Sequence, residues 1–272
     1  MKYYLFTFAL FACFFQAKGQ NYIPDMTTER DFAAQVKSID EFIARFNGDE
    51  SKPDLSSDSL RRDNIINLFD FQMSHGGLDK ESFKKLIQHF TASALNWKGK
   101  LSITGKGTYA EAKCKVKYKK KDYHITLIMK REKTQKGGQK WAIYRVKGLS
   151  TLGLYSDKRL TISPVDHETH FMSLQDFFQV NKQIVPSMRS NDVEIDELSF
   201  FFGLCVANAI EFAFVDELRF HFTDMPNYAF VVEEKGRPGT NSGWLITKVK
   251  RVGSESEREI YINELIGKDK TK

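Results

Sequence analysis

Three cysteines and six prolines are few for a chain of 272 residues. Cys13 lies in an apolar leader, which leaves Cys114 and Cys205 as the only thiols beyond it. Two thiols cannot build a disulfide framework; at most they form one bridge between the halves of the chain. Cys205 sits in the apolar run 200–207, where a buried small hydrophobe is the simpler reading. No Asn-x-Ser/Thr acceptor for glycosylation occurs. Beyond the leader, no apolar stretch approaches the ~20 residues that a membrane-spanning helix needs. Short catalytic signatures are missing as well: no G-x-S-x-G elbow, no phosphate-cradling glycine loop, no dinucleotide fingerprint and no paired-cysteine motif. These absences argue against a disulfide-stapled scaffold and a helical membrane protein, and they leave no local motif for nucleotide or thiol chemistry.

What is present begins with an address. Lys2 is the only early charge, residues 5–15 are an apolar core, and Gln16-Ala17-Lys18-Gly19 sets small residues before Gln20. This reads as a secretory signal peptide over residues 1–19, too short for a comfortable membrane span. A competing reading takes Leu10-Phe11-Ala12-Cys13 as a lipoprotein box with Cys13 acylated, although Phe11 and Phe14 fit such a box poorly. The expectation is an exported protein of a bacterial envelope, periplasmic or extracellular, with no transmembrane span in the mature chain.

The modest net charge of +6 hides an asymmetry. From Gln20 to Leu149 there are 25 Lys and Arg against 16 Asp and Glu; from Ser150 to Lys272 there are 14 against 19. Opposite charge on two tandem halves favours their docking on one another, or an anionic partner for the first half alone.

Each half ends in the same phrase. Trp141-Ala142-Ile143-Tyr144-Arg145-Val146-Lys147 and Trp244-Leu245-Ile246-Thr247-Lys248-Val249-Lys250 both read W-x-I-x-x-V-K. Each follows an aromatic-led apolar run (123–129, 228–232) and a polar turn containing glycine (136–139, 236–240). That is a long β-hairpin written twice. Ahead of the first hairpin, Phe32, Val36, Ile39, Phe42, Ile43 and Phe46 recur at helical spacing up to a stop at Asn47-Gly48. A second helix is expected over 59–73 and a third after Asp79, with Phe83, Leu86, Ile87 and Phe90 in one stripe. The period then changes to two: Leu101 and Ile103 begin a strand, and 110–118 alternate. The second half repeats the order, with a helix from Pro164 to Pro186, another over 195–209, and strands near 210–215, 218–223, 228–233 and 244–252.

Helices followed by a curved antiparallel sheet of long hairpins resembles the nuclear transport factor 2-like (cystatin-like) superfamily. The expected fold class is α+β: two tandem domains, 20–149 and 150–272, each with N-terminal helices packed on a curved antiparallel β-sheet. Three helices ahead of all the strands is one departure from that family's order. The resemblance implies a cone-shaped pocket, with Trp97, Tyr118, His124, Tyr144, Phe212 and His221 as its lining. Ketosteroid isomerases of this superfamily place a carboxylate and hydrogen-bond donors in that pocket to move protons. No Asp or Glu here aligns with such a base; Asp70 and Glu211 are acids amid apolar residues that periodicity also lets point outward.

Two constellations stand apart from the resemblance. If a helix starts at Pro164, His167 and His170 share one side at metal-ligand spacing, with Asp166 or His75 as the nearest third ligand. Half-buried, hydrogen-bonded histidines extending the stripe to Phe171 explain the pair equally well. Period two puts Lys113, Lys115, Lys117 and Lys119 on one face, opposite Cys114, Val116 and Tyr118. This is either a basic ribbon for an anionic glycan or lipid head group, or a solvated sheet face whose partner is the acidic second half. Export and the lack of interleaved exposed aromatics argue against nucleic acid. The expected function is non-catalytic binding of a small ligand or envelope component through a pocket or groove, with no cofactor implied. An enzyme doing acid–base or hydrolytic chemistry in one pocket is the alternative, and a homodimer built on the duplicated sheets is a third reading.

Overall fold

A computed structural model describes residues 38–49, 58–72, 77–135, 137–153, 179, 197–238 and 241–267. Among them the chain runs through α1 (Ile39–Asn47), α2 (Asp58–Asn67), α3 (Lys80–Asn96), β1 (Thr108–Tyr118), β2 (Lys121–Lys133) and β3 (Gln139–Lys147). A 3-10 turn (Leu149–Leu152) follows, then α4 (Glu197–Val206), β4 (Ile210–Phe222), β5 (Asn227–Lys235), β6 (Gly243–Val252) and α5 (Glu255–Ile266). The fold is α+β. All six strands form one antiparallel sheet in the order β3-β2-β1-β4-β5-β6, so each half contributes a three-stranded meander and the two meet where β1 pairs with β4. No helix among the described residues is long and apolar enough to cross a membrane.

Both copies of the repeated phrase are strands, β3 and β6, and the likeness reaches the backbone. Trp141 stands opposite Arg131 and Trp244 opposite Glu234. In each hairpin the register slips once, three residues past the tryptophan: Tyr144 and Thr247 have no partner of their own across the ladder. A bulge leaves an extra residue on one strand, bends it and raises its twist. The repeated phrase therefore encodes the same bent hairpin twice.

Caps set the helix ends. The Ser38 hydroxyl accepts from the Glu41 amide at 3.1 Å, and Gly48, at φ 73°, ends α1 where the sequence places its stop. Asp79 caps α3 by accepting from the amides of Glu81 and Ser82. The second helix, expected to reach residue 73, stops at Asn67. The Ile246 amide donates to the Leu68 carbonyl at 2.7 Å and the Asp70 amide to the Ile246 carbonyl at 3.0 Å, so the sheet takes over the backbone's hydrogen bonds. Leu101 and Ile103 are loop rather than strand. The Asn47 carboxamide donates to the Leu101 carbonyl and accepts from its amide, both at 2.8 Å, which occupies the groups a ladder would use. The two strands expected at 210–215 and 218–223 are one strand, because bulges at Ala213 and Asp216 keep it paired to β1.

Helices cover the sheet crosswise. The first core packs Phe42, Phe46, Ile65, Ile87 and Phe90 of the first half's helices against Phe220, Phe222, Phe230, Val232 and Ile246 of the second half's strands. The second core packs Phe201 of α4, with Leu149 and Leu152, against Cys114, Val116, Ile125, Leu127 and Val146 of the first half's strands. A boundary at residue 150 therefore divides no core cleanly: each half's strands are covered mainly from the other half. The opposite face carries α5, whose Leu265 and Ile266 bury Ile128.

Candidate partner-binding edge

The six residues expected to line one pocket are dispersed over both faces of the sheet. Trp97 caps the end of α3 against the first core, and Tyr118 is buried at the end of β1 in the second. Phe212 shares the helix-covered face with Tyr118, half exposed, with its ring 6.0 Å edge-on from that of Phe201. His124, Tyr144 and His221 project from the other face. His124 reaches Asp216 at 3.2 Å, Tyr144 lies under the Lys130 ammonium at 4.0 Å, and His221 is buried beneath α5. No single cavity gathers them among the described residues. His167, His170, Asp166 and His75 lie outside the described residues; within them, no group of three or more His, Cys, Asp or Glu is placed to hold a metal ion. Cys114 and Cys205 are both free, and burial pushes each thiol above its ordinary pKa.

The lysine ribbon is partly neutralised from within the chain. Lys113 meets Glu217 of β4 at 3.1 Å, and Lys115 meets Asp122 at 2.7 Å. Lys117 stands in register between Asp122 and Glu211. Lys119 leaves the ribbon. It and Lys120 have φ of 49° and 64°, forming the two-residue β1–β2 turn in which both central residues need positive φ.

Two buried polar networks were outside the reach of sequence reasoning. Asp70, fully buried, accepts from the Arg237 guanidinium, and one of its carboxylate oxygens also takes the Gln72 amide at 3.0 Å. Asn241 completes this clasp by donating to the Phe69 carbonyl at 2.7 Å and accepting from the Phe71 amide at 3.0 Å. On the other face His221 Nε2 lies 2.9 Å from Glu111 and its Nδ1 lies 2.8 Å from the Tyr261 hydroxyl. An ionised Glu111 only accepts, so Nε2 donates to it; in the neutral ring Nδ1 then accepts from the tyrosine. The His221 hydrogen bond holds the Glu111 carboxyl below its ordinary range, while burial and then the Glu111 charge push the Tyr261 hydroxyl up. That is the reverse of an activated nucleophile, which needs a lowered pKa or a free base beside it. The network fastens α5 to the sheet. The advance signals were an acid amid apolar residues at Asp70 and His221, expected as pocket lining; nothing local marked Arg237, Asn241, Glu111 or Tyr261.

The feature with no structural work yet assigned is the first two thirds of β4. Among the described residues, 210–218 pair with β1 alone, and β5 joins β4 only from Arg219 to Phe222. On the open side, half of the backbone N–H and C=O groups of this stretch lack a ladder partner. Ile210 is buried, but the apolar side chains beyond it are largely uncovered: Phe212 is 48 % exposed, Phe214 and Val215 each 55 %. Phe202 and Val206 on α4 add exposed apolar surface beside Phe201, which Phe212 touches. Where β5 departs, a cleft of about 590 Å³ opens between residues 216–219, 233–236 and Lys248. A smaller hollow of about 170 Å³ lies on Glu111, Lys113, Thr126, Glu217 and Arg219. Both are open and lined mainly by charged side chains, unlike the apolar pockets that hold small ligands or tune a catalytic acid.

No family model, no curated protein and no solved structure matches this chain, so what it does is to be read from its own surface.

Proposed function

We propose that the chain is an exported, non-catalytic binding protein, built from two fused nuclear transport factor 2-like halves, that recognises a polypeptide partner by adding its strand to the open edge of β4. The single observation behind this reading is a long strand, 210–218, with one side unpaired among the described residues and Phe212, Phe214, Val215 and Leu218 exposed. Exposed long apolar edges template the pairing of another strand, and soluble proteins ordinarily blunt them. Strand addition takes its affinity from the backbone ladder and its specificity from alternate side chains. The polar, open clefts favour a macromolecule over a small apolar ligand. Export rests on the leader, and the repeated bent hairpins, each preceded by helices, support the family reading.

Amide hydrogen exchange on the dilute chain tests this. The amides of 211–218 that face away from β1 are expected to exchange fast while those of β1 are protected. Protection of the same amides in the isolated, dilute chain means the edge is already covered, and removes the reading. For export, the expected product begins at Gln20; an acylated Cys13 selects the lipoprotein route instead.

A further inference from the structure

Granting the strand-addition reading above, on which this rests, we infer that the partner is an extended segment with an apolar centre flanked by lysine or arginine, rather than a second copy of this chain. The open strand carries its own code. Phe212, Phe214 and Val215 are exposed in its middle, with Glu211 at one end and Asp216 and Glu217 at the other. Directly opposed residues decide strand pairing: opposite charges and apolar pairs stabilise, like charges repel. A second copy would pair with this edge antiparallel and badly. Centred on Phe214, it opposes Glu211 to Glu217. Slipped by one residue, it sets Phe212 against Glu217 or Glu211 against Asp216. An incoming strand with cations at its ends and valine-like residues between meets none of these conflicts.

The charges already present leave room for such ends. Glu217 is held by Lys113 at 3.1 Å and by Arg219 at 2.7 Å, both from the β1 and β4 side of the strand. Asp216 reaches only the His124 ring among the described residues, and no described cation lies within 4 Å of Glu211. Glu211 and Asp216, one at each end of the open edge, therefore have no Lys or Arg within 4 Å among the described residues. The exposed apolar centre between them supplies the area that solvent-exposed ion pairs, worth little alone, do not.

Two synthetic probe peptides decide the matter. Both have an alternating valine–threonine core; one ends in lysines, the other in glutamates. Added to the purified chain, the lysine peptide is expected to slow exchange at 211–218 and to bind about tenfold more tightly than its twin, with the difference shrinking as salt rises. The double variant Glu211→Lys, Asp216→Lys is expected to reverse the preference. Equal binding and equal protection by both peptides keep strand addition and overturn the charge inference. If neither peptide slows exchange, both readings fall. Protection that grows with protein concentration in the absence of peptide shows a second copy on the edge and overturns the inference.

Discussion

β1 and β4 are the two central strands of one sheet, and they differ in what their second neighbour does. β1 is paired on both sides: with β4, and with β2 from Tyr109 to Tyr118. β4 has β5 beside it only from Arg219 to Phe222. The cause is strand length. β2 has 13 residues and follows a two-residue turn, whereas β5 has nine and ends at Lys235. Carried on in the same register, Lys235 would face Glu217, so β5 has no residues left to cover 210–216. The repeat thus fixes the outer hairpins alike, down to the bulged residue, and leaves the central strands to diverge. Where they diverge, apolar side chains are exposed and backbone groups have no ladder partner among the described residues.

The first way to break the comparison is at the clasp on the second hairpin. Asp70→Ala leaves the guanidinium of Arg237 without its buried partner, and breaking a buried pair from one side costs about 3–5 kcal/mol. Urea denaturation is expected to show that loss, with the m-value unchanged. A loss below about 1 kcal/mol would mean the pair behaves as an exposed one. Next come the two tryptophans. Trp244 is buried in the first core with its ring tilted 5.4 Å from that of Phe220; Trp141 only partly buries itself on the same ring at 6.1 Å. Trp244→Ala is expected to cost about 3–5 kcal/mol and Trp141→Ala clearly less. Equal costs would show that the hairpins are equivalent in energy as well as in shape.

A smaller effect sits on the seam between β1 and β4. Glu111 is on β1 and His221 on β4, and their hydrogen bond holds the carboxyl below its ordinary range. A depressed carboxylate contributes fully above its unfolded pKa of about 4.3, and the contribution disappears as pH falls through the folded value. The wild-type chain should therefore lose stability in that acid window, by an amount on the order of 1–3 kcal/mol for a hydrogen bond to a charged group. Glu111→Gln should lower stability near neutrality and flatten the acid limb. Tyr261 works in the other direction. Its hydroxyl is raised, so its share is complete below the ordinary tyrosine value of about 10 and is lost as pH rises above it. An acid limb unchanged in Glu111→Gln would remove this assignment.

The outer hairpins were legible because their signals are local: period two, a glycine turn, and a tryptophan at a fixed offset. The α1 stop at Gly48 and the Asp79 cap were legible for the same reason. What could not be read is long-range. Nothing in Leu101 announces that Asn47, far back in the chain, will hold its backbone, and nothing in Leu68-Phe69-Asp70 announces a bridge to Ile246. The pocket residues were dispersed for a simpler reason: alternation assigns a face only once bulges are known, and Tyr144, Ala213 and Asp216 each shift the count. The open edge escaped altogether. The run Phe212 to Val215 reads as an ordinary strand, and the length of β5, set elsewhere, leaves it without a second neighbour among the described residues.

The smallest expected change in stability tests the largest functional claim. Phe214 is more than half exposed and sits 5.7 Å from the Lys115 ammonium, which lies over its ring. Replacing a side chain that folding leaves in solvent moves stability by about 0.5 kcal/mol or less, so Phe214→Lys should unfold at nearly the wild-type urea midpoint. It also removes an apolar contact from the centre of the open edge and sets a second cation beside Lys115. Binding of the lysine-ended peptide should drop to background, while the ladder between β1 and β4 stays protected in hydrogen exchange. Were the variant to lose several kcal/mol instead, Phe214 would be serving a core, and the edge would be closed in solution. Were it to bind the peptide as before, the apolar centre of the strand would have no part in recognition, and backbone pairing alone would have to account for it.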